Sequence, residues 1–338
     1  MKGTGILQLP LGWKRMAPLA AVALAAALML PGTSLAATPT PVTWRVDVGG
    51  QSPDKGRQTN FFFNRDITVN VGDTVQWTQA ANEIHTVTFL AGTAAPPLFT
   101  PAGNGITPNP AAVAPSGGPN FDGSTLANSG LLQTPGTDKF DLTFTKPGDY
   151  NYVCLVHSKM TGVVHVQPQG RAYPQTQAQY DLQSRILRAT YGAQATTLQA
   201  VGLIDAVTKG PTQNTVGIGQ LLSTGSLAVL RFLPSQNMIR VGQTVTWTNR
   251  DPETPHTVTF GTEPPGGPFG AFPPSGTDPN NPGHATISSP TQSVNSGFIL
   301  NGLTSATFQA TFTRPGTYSY ICALHDDLGM VGTITVLR

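Results

Sequence analysis

The sequence predicts an all-β protein made of two tandem copies of one antiparallel β-sandwich or small-barrel domain. Three observations carry that expectation. Gly (37) and Pro (30) are abundant among 338 residues while charged residues make up only 11%, which favours turn-rich β structure over solvent-exposed helices. Apolar residues alternate over short runs bounded by Gly and Pro turns, as in residues 67–71 and 74–77 around a Val-Gly-Asp turn. The chain also repeats itself. Val71-Gly72-Asp73-Thr74-Val75-Gln76-Trp77-Thr78 returns as Val241-Gly242-Gln243-Thr244-Val245-Thr246-Trp247-Thr248, and His85-Thr86-Val87-Thr88-Phe89 returns as His256-Thr257-Val258-Thr259-Phe260. Phe144-Thr145-Lys146-Pro147-Gly148-Asp149-Tyr150 is answered by Phe312-Thr313-Arg314-Pro315-Gly316-Thr317-Tyr318.

Taken in order, residues 1–36 read as an export signal, with Lys2, Lys14 and Arg15 before an apolar run over 16–30 and a small-x-small site at Ser34-Leu35-Ala36. The alternative is an uncleaved anchor, which the run is short for, since a spanning helix needs ~20 apolar residues. An exported protein, periplasmic or extracellular, is expected, with membrane contact only if the signal stays attached. Without the signal's three basic residues the formal charge of +2 becomes −1. That balance, with no basic cluster, excludes nucleic acid as an expected partner.

The first copy occupies 37–168 and the second 212–338. Each contains a long Pro/Gly/Asn-rich segment, 91–137 and 261–304, of a length that is either functional or disordered. Between the copies, 169–211 is a linker free of proline over 175–201, which predicts a helix from about Gln177 to Tyr191 acting as a spacer or packed on one domain.

The chemistry gathers at the end of each copy. Cys154, His157 and Met160 lie within seven residues, as do Cys322, His325 and Met330 within nine, and the two cysteines are the only ones in the chain. An exported protein with two cysteines would by default form a disulfide. Equivalent positions in two separate copies are not expected within the ~6 Å Cα separation a disulfide needs. Two His and one Cys with a weak axial Met form the ligand set of a blue-copper electron-transfer site. Cys and His three apart can reach one ion from a turn, and the missing histidine is His85 in the first copy and His256 in the second. His165, on the last strand, is expected to face solvent, and His284 to lie in a loop; neither is expected to bind metal.

With these residues in place, both copies resemble cupredoxins, the plastocyanin, amicyanin and pseudoazurin family. The resemblance covers 42–168 and 212–338 except the long loops. Cys322-x2-His325-x4-Met330 has a loop length similar to plastocyanin and pseudoazurin, and Cys154-x2-His157-x2-Met160 one similar to amicyanin. Counted back from the final strand, Met160-Thr161-Gly162 aligns with Met330-Val331-Gly332. One departure is the apolar pair between Cys and His, Leu155-Val156 and Ala323-Leu324, where many relatives carry proline.

The resemblance implies two Greek-key sandwiches with one type 1 copper each. It implies His85, Cys154, His157 and Met160 as ligands of the first, and His256, Cys322, His325 and Met330 as ligands of the second. His157 and His325 would sit at the rim, where redox protein partners dock, and no small-molecule substrate is expected. Two-domain copper oxidases and nitrite reductases share this plan but need further histidines, often in His-x-His pairs. This chain has six histidines and no such pair. An electron carrier is thus expected rather than an enzyme, with a copper-carrying protein as the alternative.

Overall fold

The computed structural model describes residues 40–102, 105–265, 273–300 and 306–338. The expected export segment and parts of both long loops lie outside the described residues. The first copy contributes strands β1 (Thr43–Gln51), β2 (Arg57–Phe63), β3 (Asp66–Asn70), β4 (Thr74–Gln79), β5 (Thr88–Phe89), β6 (Lys139–Phe144), β7 (Gly148–Val153) and β8 (Thr161–Gln167). Helix α1 (Gln177–Thr208) follows. The second copy supplies β9 (Gln213–Leu222), β10 (Gly225–Leu233), β11 (Gln236–Arg240), β12 (Thr244–Arg250), β13 (Thr259–Phe260), β14 (Thr307–Phe312), β15 (Gly316–Ile321) and β16 (Val331–Leu337).

Each copy is a β-sandwich, as expected, and its strands alternate as the sequence does. In β4, Val75, Trp77 and Gln79 point inward while Thr74, Gln76 and Thr78 are less buried. The first core stacks Trp77 edge-on against Phe89 and Tyr152, with ring centroids 5.5 and 5.3 Å apart. The second repeats this with Trp247 against Phe260 and Tyr320, at 5.9 and 5.4 Å. Hairpin pairs are antiparallel, as in β7–β8 and β15–β16. The pairing is nevertheless mixed, because β1–β4, β3–β8, β9–β12 and β11–β16 run parallel. Each parallel pair joins strands separated by others along the chain, so no tight turn forces them antiparallel.

The two copies do not stand apart on a spacer. Strand β2 pairs antiparallel with β10, in the register Asn60–Ser226 to Arg57–Val229, so one ten-stranded sheet runs through both domains. All described residues belong to one compact unit. Helix α1 is 32 residues long, past the expected end near Tyr191, and it covers the junction rather than one domain. Under it Phe61 and Phe63 from the first copy meet Leu227 from the second, with Tyr191 and Leu198 of the helix packed on them. Tyr191 stacks on Phe61 at 4.1 Å, and the Arg188 guanidinium lies 3.8 Å over the Phe63 ring. The helix begins at a capping box in which Thr176 and Gln179 exchange side-chain to backbone bonds. Gly192 does not break it, and Gly202 lets it approach the sheet closely, since a Cβ there would sit 3.0 Å from Leu233 Cδ1.

The described parts of the long loops support the sandwich ends. Segment 91–137 forms a small hairpin and the short helix Pro110–Val113, then returns to the sandwich end to brace the residues around His85.

Candidate metal centres

Each centre is assembled from two places in the chain. His85 follows β4 and is fixed by a two-way backbone bridge to Leu132, and His256 is bridged in the same way to Ile299. Cys154 and Cys322 come directly after β7 and β15, and the following turns carry His157 and His325. These turns are closed by backbone bonds: Cys154 N donates to Met160 O and Met160 N to His157 O, as Cys322 N donates to Met330 O and Met330 N to His325 O. The aligned methionines therefore close equivalent loops despite the two-residue difference in length. Both are fully buried.

The structure brings the expected His and Cys side chains of each group together. Cys154 Sγ lies 3.9 Å from His85 Nδ1 and 3.7 Å from His157 Nδ1. In the second centre Cys322 Sγ lies 3.8 Å from His256 Nδ1 and 3.4 Å from His325 Nδ1. The three ligand atoms of each group fall within 4.8 Å of one another. A metal bonded to sulfur at about 2.3 Å and nitrogen at about 2.0 Å, with about 120° between the bonds, sets them about 3.7 Å apart. The side chains present thus fit one ion per group with little movement. His165 and His284 are elsewhere, hydrogen-bonded to Asp149 and Asp278. His284 starts a short strand, His284–Ile287, rather than lying in a loop, because its backbone pairs with β14.

Several supporting residues went unrecognised in the sequence. Thr86 and Thr257 each direct a backbone N–H at the cysteine sulfur, 3.4 Å away. Their hydroxyls accept the N–H of Leu155 and Ala323, the residues after the cysteines, at 2.8 Å. Ser129 and Ser296 accept from Val87 N and Val258 N, and Asn128 and Asn295 accept from Thr88 and Thr259. The signal was available, since each of these residues occurs in both copies. Gly49 and Gly217 are β-bulge residues with φ of +72° and +67°, and the ring of the deep histidine packs against each. The deep rings leave Nε2 buried without a hydrogen-bond partner, so Nδ1 is the nitrogen turned to the sulfur.

Electrostatics ready the groups unequally. Burial holds His85 and His256 well below the ordinary imidazole range, lowers His157, and lowers His325 to about 3. The same burial pushes the Cys154 thiol up and the Cys322 thiol up to about 11. At neutral pH the rings are therefore neutral and able to ligate, while the thiols keep their protons until a metal displaces them.

The rim histidines are less open than expected. His157 is 2% and His325 6% exposed, because each faces the other domain. Both line one interdomain cavity of about 650 Å³ together with Glu83, Glu253, Leu155 and Leu324.

Two buried His2Cys groups, each closing the end of its own β-sandwich, define a two-site metalloprotein of the cupredoxin class. The chain belongs to the copper binding proteins of the plastocyanin/azurin family, whose sequence model matches residues 54–167 and 220–337. The major chloroplastic plastocyanin isoform of Arabidopsis thaliana is 34% identical over 123 residues, 36% of this chain and 61% of the relative. Plastocyanin of Scenedesmus fuscus is 32% identical over 108 residues, 32% of this chain and 87% of the relative. The chain thus spans less than two thirds of the Arabidopsis relative's length. A solved structure of an oxidized amicyanin mutant is 22% identical, with a TM-score of 0.23 over 37% of this chain and 82% of that one. A likeness at that score says nothing of function. Copper is the family's metal, and the two His2Cys groups match two type 1 sites, one per domain.

Metal binding is accordingly expected to release about one proton per copper from the cysteine, with none from the already neutral imidazoles. Affinity should rise with pH through the neutral range and level off only above the raised thiol pKa values. Calorimetry in buffers of differing ionisation enthalpy counts these protons; no release at neutral pH would contradict protonated, buried thiols.

Proposed function

We propose that the protein is an exported electron carrier that holds one type 1 copper in each domain. His85, Cys154, His157 and Met160 would hold the first ion, and His256, Cys322, His325 and Met330 the second. Bound copper supplies a one-electron Cu(II)/Cu(I) couple. The observation that carries this reading is the duplicated buried His2Cys group in one shared frame of Thr, Ser and Asn hydrogen bonds.

The residues act by holding still. Bridges from Leu132 and Ile299 fix the deep histidines, and the bulge glycines bar their rings from retreating. Thr86 and Thr257 donate to the sulfur, which stabilises it as a thiolate. All six His and Cys ligands are buried, none more than 6% exposed. A site that cannot rearrange serves a one-electron couple better than it serves bond-making chemistry on a substrate. His165 and His284, engaged with Asp149 and Asp278, support the carrier reading over an oxidase or reductase.

Redox protein partners reach the sites at the mouth of the interdomain cavity rather than on two open rims. Export is supported by the signal-like residues 1–36. Voltammetry of the copper-loaded protein should give two reversible one-electron waves at unequal potentials, because the His-to-Met loops differ by two residues. A redox-silent copper protein would favour copper carriage instead.

A further inference from the structure

The domain contact places a carboxylate from each copy against the ligand loop of the other. Glu83, two residues before His85 of the first site, sets its Oε2 3.8 Å from Nε2 of His325 in the second site. Glu253, three residues before His256 of the second site, accepts the Ser158 N–H at 2.7 Å and also its hydroxyl, next to His157 of the first site. The two glutamates occupy corresponding loops of the repeat, so the exchange is reciprocal.

The histidines these glutamates precede, His85 and His256, turn their rings toward Gly49 and Gly217. Glu83 keeps only 11% of its side chain exposed, and Asp251 lies near enough to repel it. Burying a carboxylate beside another acid costs stability. Among the described residues lining the interdomain cavity, the charged ones are Glu83, Glu253, Glu263, Asp326 and Asp327, with no Lys or Arg.

We propose that Glu83 and Glu253 are cross-domain positioning residues: Glu83 sets the surroundings of His325 in the second site, and Glu253 holds the loop of His157 in the first. Each site's redox balance is then adjusted in part by the domain that does not contain it. A carboxylate beside a rim imidazole favours the more positively charged, oxidised state of that site. This inference rests on the copper-carrier reading, and its test keeps the two apart.

The test uses full-length copper-loaded protein carrying Glu83→Gln or Glu253→Gln, with the potential and the paramagnetic resonance signature of each site as readouts. The two signals are assigned with Cys154→Ser and Cys322→Ser. Glu83→Gln should move the reduction equilibrium of the Cys322 site toward the reduced form by roughly twofold to tenfold, the upper figure being that for a full charge removed at several ångströms. Burial and the neighbouring Asp251 push the Glu83 carboxyl up to about 7 and leave it partly ionised at neutral pH. The Cys154 site should stay put. Glu253→Gln should change the Cys154 site and spare the other. Glu83→Asp, which retains the charge on a shorter arm, should recover part of the shift and also serves if the Gln variant fails to fold, since it should still perturb only the Cys322 signature. A shift in the glutamate's own domain, an equal shift in both, or none would overturn the inference. Wild-type protein that takes up no copper would instead remove the carrier reading beneath it.

Discussion

Replacing Cys154 by serine should remove one of the two coppers together with its intense visible absorption, leaving the site at Cys322 intact; Cys322→Ser should do the converse. The sulfur is the only ligand that becomes anionic, because all four histidines are neutral at working pH. A serine hydroxyl in the same buried position does not ionise at neutral pH, and it cannot give the thiolate-to-copper absorption. Independence follows from the cores. Trp77, Phe89 and Tyr152 share a buried cluster with Cys154, while Trp247, Phe260 and Tyr320 share a second, separate one with Cys322. Metal analysis with visible spectroscopy on each variant checks this, and loss of both coppers from either single variant would count against two separate sites.

The second large effect is expected at the bulge glycines. A Cβ on Gly49 would stand 2.4 Å from His85 Nε2 and 2.9 Å from Ala81 Cβ, and one on Gly217 would stand 2.2 Å from His256 Nε2. Both backbones lie in the left-handed region, at φ of +72° and +67°. The strained conformation costs about 1–2 kcal/mol, and relieving the overlap adds about 1–3 kcal/mol. The ring that must yield is the metal ligand itself. Gly49→Ala and Gly217→Ala should therefore each destabilise the fold by about 2–5 kcal/mol and weaken copper at their own site by roughly tenfold or more. Gly242→Ala is the control: its φ is +85° but its Cβ would meet nothing within 4 Å. It should show the backbone cost alone, with copper affinity unchanged. Denaturant unfolding and competitive copper titration separate the two contributions, and unaltered copper affinity in Gly217→Ala would contradict tight packing of the ring on the bulge.

The ligands were legible because each appears twice in the same order, and a repeat distinguishes a constellation from scattered His and Cys. The methionines could be aligned for the same reason, counted from the strand that follows them. What the sequence left unread depends on contacts between the copies. Phe61-Phe62-Phe63 and the apolar run ending at Leu233 carry no alternation, because both faces of β2 and β10 are covered where the shared sheet passes beneath α1. Nothing local shows that these two strands pair with each other. The full length of α1 was obscured by Gly192 and Gly202, although the chain offers no proline between Gln175 and Pro211. Burial of His157 and His325 is likewise a product of docking, and a single copy gives no hint of it. Glu83 and Glu253 precede their histidines at spacings that differ by one residue, which hid their correspondence.

Two type 1 copper sites in one chain, one per domain, are tested most directly by titrating metal-free, reduced protein with copper while following visible absorbance. An intense thiolate-to-copper band should grow linearly and stop at two equivalents per chain. A band that stops at one equivalent, or copper bound without colour, would contradict two such sites.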